Sequence, residues 1–123
     1  MPSLKQVLVI EDDSQTRAFI ACICEELGMR AQQAANGSAG LKMFHSMDFE
    51  LIITDILMPD RDGIEVIRAI KNKSPEVKII AVSGGGLIAP WFYLEDARNL
   101  GADAVLFKPF LAAQLVECID KIK

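Results

Sequence analysis

Apolar residues in this chain fall into short unbroken runs separated by stretches of helical spacing. Val7 to Ile10, Leu51 to Thr54, Lys78 to Val82 and Ala104 to Phe107 are rich in β-branched residues, the pattern of strands buried on both faces. Between them, Ser14 to Leu27, Ser38 to Met47, Ile64 to Lys71 and Pro90 to Leu100 carry helical spacing, and a last such stretch runs from Leu111 to Lys123. Residues 30–34, Arg-Ala-Gln-Gln-Ala, have weak strand propensity. They lie between Gly28 and Asn36-Gly37, where the alternation requires an edge strand.

Five such units predict an α/β fold: an open doubly wound five-stranded parallel sheet with helices on both faces. In that architecture a ligand site lies outside the carboxyl ends of the strands, where the strand order reverses. No repeat, low-complexity run or linker is visible. The 123 residues are expected to form one domain, 1–123, with no output domain attached.

Charge narrows the class of function. Seventeen Asp plus Glu against 13 Lys plus Arg leave a net charge of −4, which argues against direct nucleic-acid binding or an anionic membrane surface. No apolar stretch approaches the roughly 20 residues of a membrane span, so the expected location is cytoplasmic. Cys22, Cys24 and Cys118 imply no disulfide framework, and all three read as small apolar packing residues in a reducing compartment.

The residues just after each strand carry the chemistry. Glu11, Asp12 and Asp13 follow the first run, Asp55 the run at 51–54, Ser83 the run at 78–82, and Lys108-Pro109 the run at 104–107. Carboxylates within about 4 Å of one another repel by about 4 kcal/mol per pair at a surface-like dielectric, so something positive belongs among them. Mg²⁺, which takes carboxylate and carbonyl oxygens and keeps several waters, suits an acidic cup. Lys108 supplies a second, movable positive charge. With a cation in place Asp55 could attack phosphorus as a carboxylate nucleophile, with Ser83 donating to a phosphoryl oxygen.

At this point the sequence resembles the response-regulator receiver domain of two-component signalling. The carriers are VLVIEDDSQTR at 7–17, LIITDILMPDRDG at 51–63, IIAVSG at 79–84 and LGADAVLFKPF at 100–110. The resemblance implies a flavodoxin-like sheet of strand order 2-1-3-4-5. It also implies that Asp55 is phosphorylated from the phosphohistidine of a sensor histidine kinase or histidine phosphotransfer protein. Mg²⁺ would be bound directly by Asp12, with Glu11 acting largely through water and Asp55 and the backbone carbonyl of Leu57 completing the set. Ser83 stands at the switch hydroxyl and Lys108 at the family's lysine, before a bond that is cis in relatives. Asp13 falls at the next, variable position and is expected to start the helix. The face formed by 90–100, 104–107 and 111–123 is the family's usual output surface. It implies a downstream effector protein and leaves room for a weak homodimer.

Three departures stand out. Val105 occupies the switch position where many relatives carry Tyr or Phe, and Phe107 shares its face if the strand is regular. The stretch Gly84 to Pro90 is longer than the usual connection. Leu57 and Gly85 stand where polar groups often handle the hydrolytic water, which predicts slow self-dephosphorylation. His45 reads as a surface residue. Trp91, Phe92 and Tyr93 cannot all face a core, so Trp91 or Phe92 is left either for docking or for packing under the glycine loop. Asp60 and Asp62 read as turn and capping residues.

The leading expectation is thus a phosphorylation-controlled switch with only intrinsic self-phosphorylation and self-dephosphorylation chemistry. The alternative is a non-phosphorylated receiver-like interaction module, against which the intact set Asp55, Asp12, Ser83 and Lys108 argues. An aspartyl phosphatase of the haloacid-dehalogenase type would place its nucleophile after the first strand. A flavin carrier would repel its phosphate at Glu11-Asp12-Asp13.

Overall fold

The computed structural model describes residues 6–56, 63–84, 99 and 101–122. Strand β1 (Gln6–Ile10) leads into helix α1 (Ser14–Glu26), β2 (Arg30–Ala34), α2 (Gly37–Ser46) and β3 (Leu51–Asp55). Then come α3 (Gly63–Lys73), β4 (Lys78–Gly84), β5 (Ala104–Lys108) and α4 (Ala112–Ile122). All strands are parallel, in the order β2-β1-β3-β4-β5. This is the expected doubly wound sheet, with residues 30–34 at one edge.

Strand alternation divides the core in two. Leu8, Ile10, Ile52 and Ile79 face a cluster with Phe44 of α2 and Val66, Ile67 and Ile70 of α3. Val7, Val9, Leu51, Ile53 and Ile80 face the opposite layer, with Ile20 and Cys24 of α1 and Leu115 and Ile119 of α4. Gly40 lets α2 come close to the sheet, since a Cβ there would overlap the Ile10 side chain.

Two expectations need correction. The run at 104–107 is not buried on both faces: in β5 only Leu106 is buried, and Phe107 is 50% exposed. The reason is position, because among the described residues β5 is the outermost strand and pairs with β4 alone. Cys22 is not a packing residue either. It is exposed, whereas Cys24 is buried and Cys118 partly so. The predicted helix at 90–100 lies outside the described residues apart from helical Asn99, as do Leu57, Asp60, Asp62, Gly85, Trp91, Phe92 and Tyr93. No helix among the described residues is long and apolar enough to cross a membrane.

Candidate functional site

The parallel register brings the carboxyl ends of β1, β3, β4 and β5 to one rim. Ile10 pairs with Thr54, Asp55 with Val82, and Gly84 with Lys108. Glu11, one residue past β1, is fixed through its own backbone: its N–H donates to the Ala34 carbonyl at 3.0 Å, and its carbonyl accepts from the Arg17 guanidinium at 2.8 Å. Its carboxylate accepts from the Asp13 N–H at 3.1 Å and is almost wholly shielded from solvent. Asp55, the last residue of β3, is also buried, while Asp12 is exposed.

Carboxylate oxygens of Glu11, Asp12 and Asp55 lie within 4.8 Å of one another. Lys108 reaches into this group from the end of β5. Its Nζ stands 2.6 Å from Glu11 Oε1, an ion pair without hydrogen-bond alignment, and donates to Asp55 Oδ2 at 3.2 Å. The bond that follows, Lys108-Pro109, is cis.

The electrostatics follow from burial and sign. Burial pushes the Glu11 carboxyl up from 4.5 to about 7, against the contrary pull of Lys108 and the Asp13 N–H. Burial of Lys108 works against its own charge, but the Glu11 and Asp55 carboxylates outweigh it and hold the ammonium above the usual lysine value. Among the described residues Lys108 is the cation that faces these carboxylates. A hard divalent ion fits the all-oxygen donor set. The buried Ser83 hydroxyl has no hydrogen-bond partner among the described residues. A buried hydroxyl left so costs about 1–3 kcal/mol, which a ligand oxygen would relieve.

Asp13 does not join the cluster. It caps α1, its Oδ2 accepting from the Thr16 N–H at 2.8 Å and the Thr16 hydroxyl at 2.6 Å, and those bonds hold its carboxyl below the ordinary aspartate value. Val105 packs against the core layer that contains Ile52 and Ile79, and Phe107, two residues on, is half exposed. His45 is exposed on α2, with Lys73 Nζ 3.2 Å from its Nδ1.

Residues 7–120 match the sequence model of the response regulator receiver domain. The chain belongs to that family. Receiver domains are signalling domains rather than classical enzymes, and the acidic cluster is compatible with the Mg²⁺ pocket the family generally carries. This receiver is 33% identical over 120 residues to the response regulator receiver protein CpdR of Brucella abortus, covering 97% of each chain. It is 32% identical to the chemotaxis protein CheY of Halobacterium salinarum, covering 96% of each. Among solved structures it superposes on a CheY-like receiver domain protein from Methanospirillum hungatei with a TM-score of 0.87 at 30% identity, covering 97% of this chain and 93% of that one. It spans about half the length, 47–48%, of the transcriptional regulators SilR and CusR, which it also matches.

Proposed function

We propose that this receiver accepts a phosphoryl group on Asp55 from the phosphohistidine of a sensor histidine kinase or histidine phosphotransfer protein, in a Mg²⁺-dependent reaction. The observation that carries this reading is Lys108 set between the buried carboxylates of Glu11 and Asp55, with Asp12 beside them. Asp55 Oδ attacks phosphorus as the P–N bond to the donor imidazole breaks, and the nitrogen leaves with the bonding pair and is protonated. Glu11, Asp12 and Asp55 would hold the metal, which when bound neutralises charge on the transferring oxygens. Lys108 stays next to the acceptor and pairs with the new phosphoryl group, and Ser83 Oγ donates to one of its oxygens.

In this reading the phosphoryl group shifts an equilibrium between two conformations and the signal passes to a downstream effector protein. Moving the population from mostly off to mostly on takes about 5 kcal/mol of differential interaction. On this proposal Ser83 and Val105 register that shift, and with the small Val105 packed on the core the aromatic of the strand is half-exposed Phe107.

The test incubates the protein with Mg²⁺ and acetyl phosphate and measures intact mass. We expect one base-labile phosphoryl group on the wild type and none on Asp55→Asn. A wild type that stays unmodified with both the small donor and a phosphorylated histidine phosphotransfer protein would sink the reading.

A further inference from the structure

Both polar groups of the peptide that joins Asp55 to Ile56 are hydrogen-bonded, and so is the carbonyl that follows it. The Asp55 carbonyl accepts from the buried Thr54 hydroxyl at 3.0 Å, the Ile56 N–H donates to the Val82 carbonyl of β4 at 2.9 Å, and the Ile56 carbonyl accepts from the Gly63 N–H at 2.7 Å. Gly63, the first residue of α3, therefore returns the chain to its starting point after the intervening segment. It is buried, and it lies so close that a Cβ would overlap the Asp55 carbonyl oxygen and stand 2.6 Å from Ile56 Cα and 2.9 Å from the Asp55 carbonyl carbon. These obstacles are backbone atoms, fixed by a sheet hydrogen bond, and no side-chain rotation relieves them.

We propose that Gly63 is a positioning residue for the Asp55 carboxylate. With hydrogen at its α-carbon, α3 docks directly on the acceptor's own peptide, and this contact fixes how far the carboxylate projects toward Glu11, Asp12 and Lys108. A methyl group there displaces either α3 or the Asp55–Ile56 peptide by about 1 Å, a shift of the size that costs up to about a hundredfold in a reaction dependent on alignment. The inference rests on Asp55 as phosphoryl acceptor, but its consequence for metal binding does not.

The experiment compares wild type, Gly63→Ala, Thr54→Val and Ile70→Ala at a temperature well below each melting point. Two quantities are read: the rate of phosphorylation by acetyl phosphate, and the Mg²⁺ dissociation constant by calorimetry. For folded Gly63→Ala the expected result is phosphorylation slowed at least about tenfold and Mg²⁺ binding weakened severalfold, while Ile70→Ala, a core truncation in the same helix, loses melting temperature but keeps both values. Gly63→Ala with rate and affinity both within about twofold of wild type overturns the inference. If that variant does not fold, Thr54→Val decides. Loss of the other hold on the Asp55 carbonyl slows phosphorylation about threefold if that peptide's placement governs the site, and an unchanged rate overturns it. A wild type that binds Mg²⁺ yet takes up no phosphoryl group defeats the proposed function alone. The Mg²⁺ titration then judges Gly63, for the inference if Gly63→Ala binds more weakly and against it if not.

Discussion

Asp103 Oδ2 accepts the backbone N–H of Ile79 at 2.8 Å, tying the approach to β5 onto the start of β4. The same oxygen meets Lys71 Nζ at 3.2 Å, and that ammonium also donates to the carbonyls of Val77 at 2.7 Å and Pro75 at 3.2 Å. Gly101, at φ +121°, packs against the Lys71 stem. One lysine thus gathers the end of α3, the beginning of β4 and the segment before β5.

Because the Ile79 N–H would be left without its acceptor, Asp103→Ala is expected to cost about 1–2 kcal/mol of unfolding free energy. Lys71→Met should cost less, since both side chains retain some solvent access. Urea denaturation of the two variants and their double mutant checks this, and strict additivity would show that the two side chains act separately.

Glu11 makes metal-free stability depend on pH. Its folded pKa, about 7, lies above its ordinary value of 4.5. Its contribution is therefore complete below about 4.5 and is lost as pH rises through 7. Glu11→Gln removes that dependence. In EDTA the melting temperature of Glu11→Gln relative to wild type should climb between pH 5 and 8 by the equivalent of about 1–3 kcal/mol. Mg²⁺ should shrink the difference in wild type's favour. A difference that stays flat with pH would contradict the assignment.

Asp12 and Asp13 separate by role. Asp12→Ala should weaken Mg²⁺ binding with little change in melting temperature, because the side chain is exposed and caps nothing. Asp13→Ala should lower the melting temperature while leaving Mg²⁺ affinity intact, because its carboxylate is committed to Thr16. Paired thermal melts and calorimetry of the two variants read both effects.

Thiol chemistry reports on α1. Burial pushes the Cys24 thiol up to about 12 and also raises Cys118, whereas Cys22 is exposed. A chromogenic disulfide reagent at pH 8 should find one fast thiol, and Cys22→Ser should abolish that phase. Retention of the fast phase in the variant would locate it elsewhere.

The legible parts of this molecule were those encoded locally or by order along the chain. β1 and β3 are interior strands, so both faces are apolar and each reads as an unbroken run. β2 has no such run and was placed only because it stands between two helices. The strand-end residues could be gathered because parallel strands share one carboxyl rim. The exposure of Cys22 is not legible because residues 18–24, Ala-Phe-Ile-Ala-Cys-Ile-Cys, are apolar all round the helix and mark no buried side; Phe19 and Cys22 face solvent, Ile20 and Ile23 the core. Arg17 belonged to a quoted motif but carried no assigned role, since its bond goes to a backbone carbonyl that no side-chain pattern announces. Gly63 likewise closes a quoted motif without an assigned role: a glycine shows only that a side chain is missing, and the carbonyl occupying the space comes from eight residues earlier.

The sheet order sets an asymmetry in the site. Glu11 and Asp55 are mounted on β1 and β3, each with a strand on both sides, whereas Lys108 ends β5, which has a neighbour on one side only. The negative charges stand on interior strands and their counter-charge on the edge strand. Displacing that edge strand would therefore move the ammonium and leave both carboxylates in place.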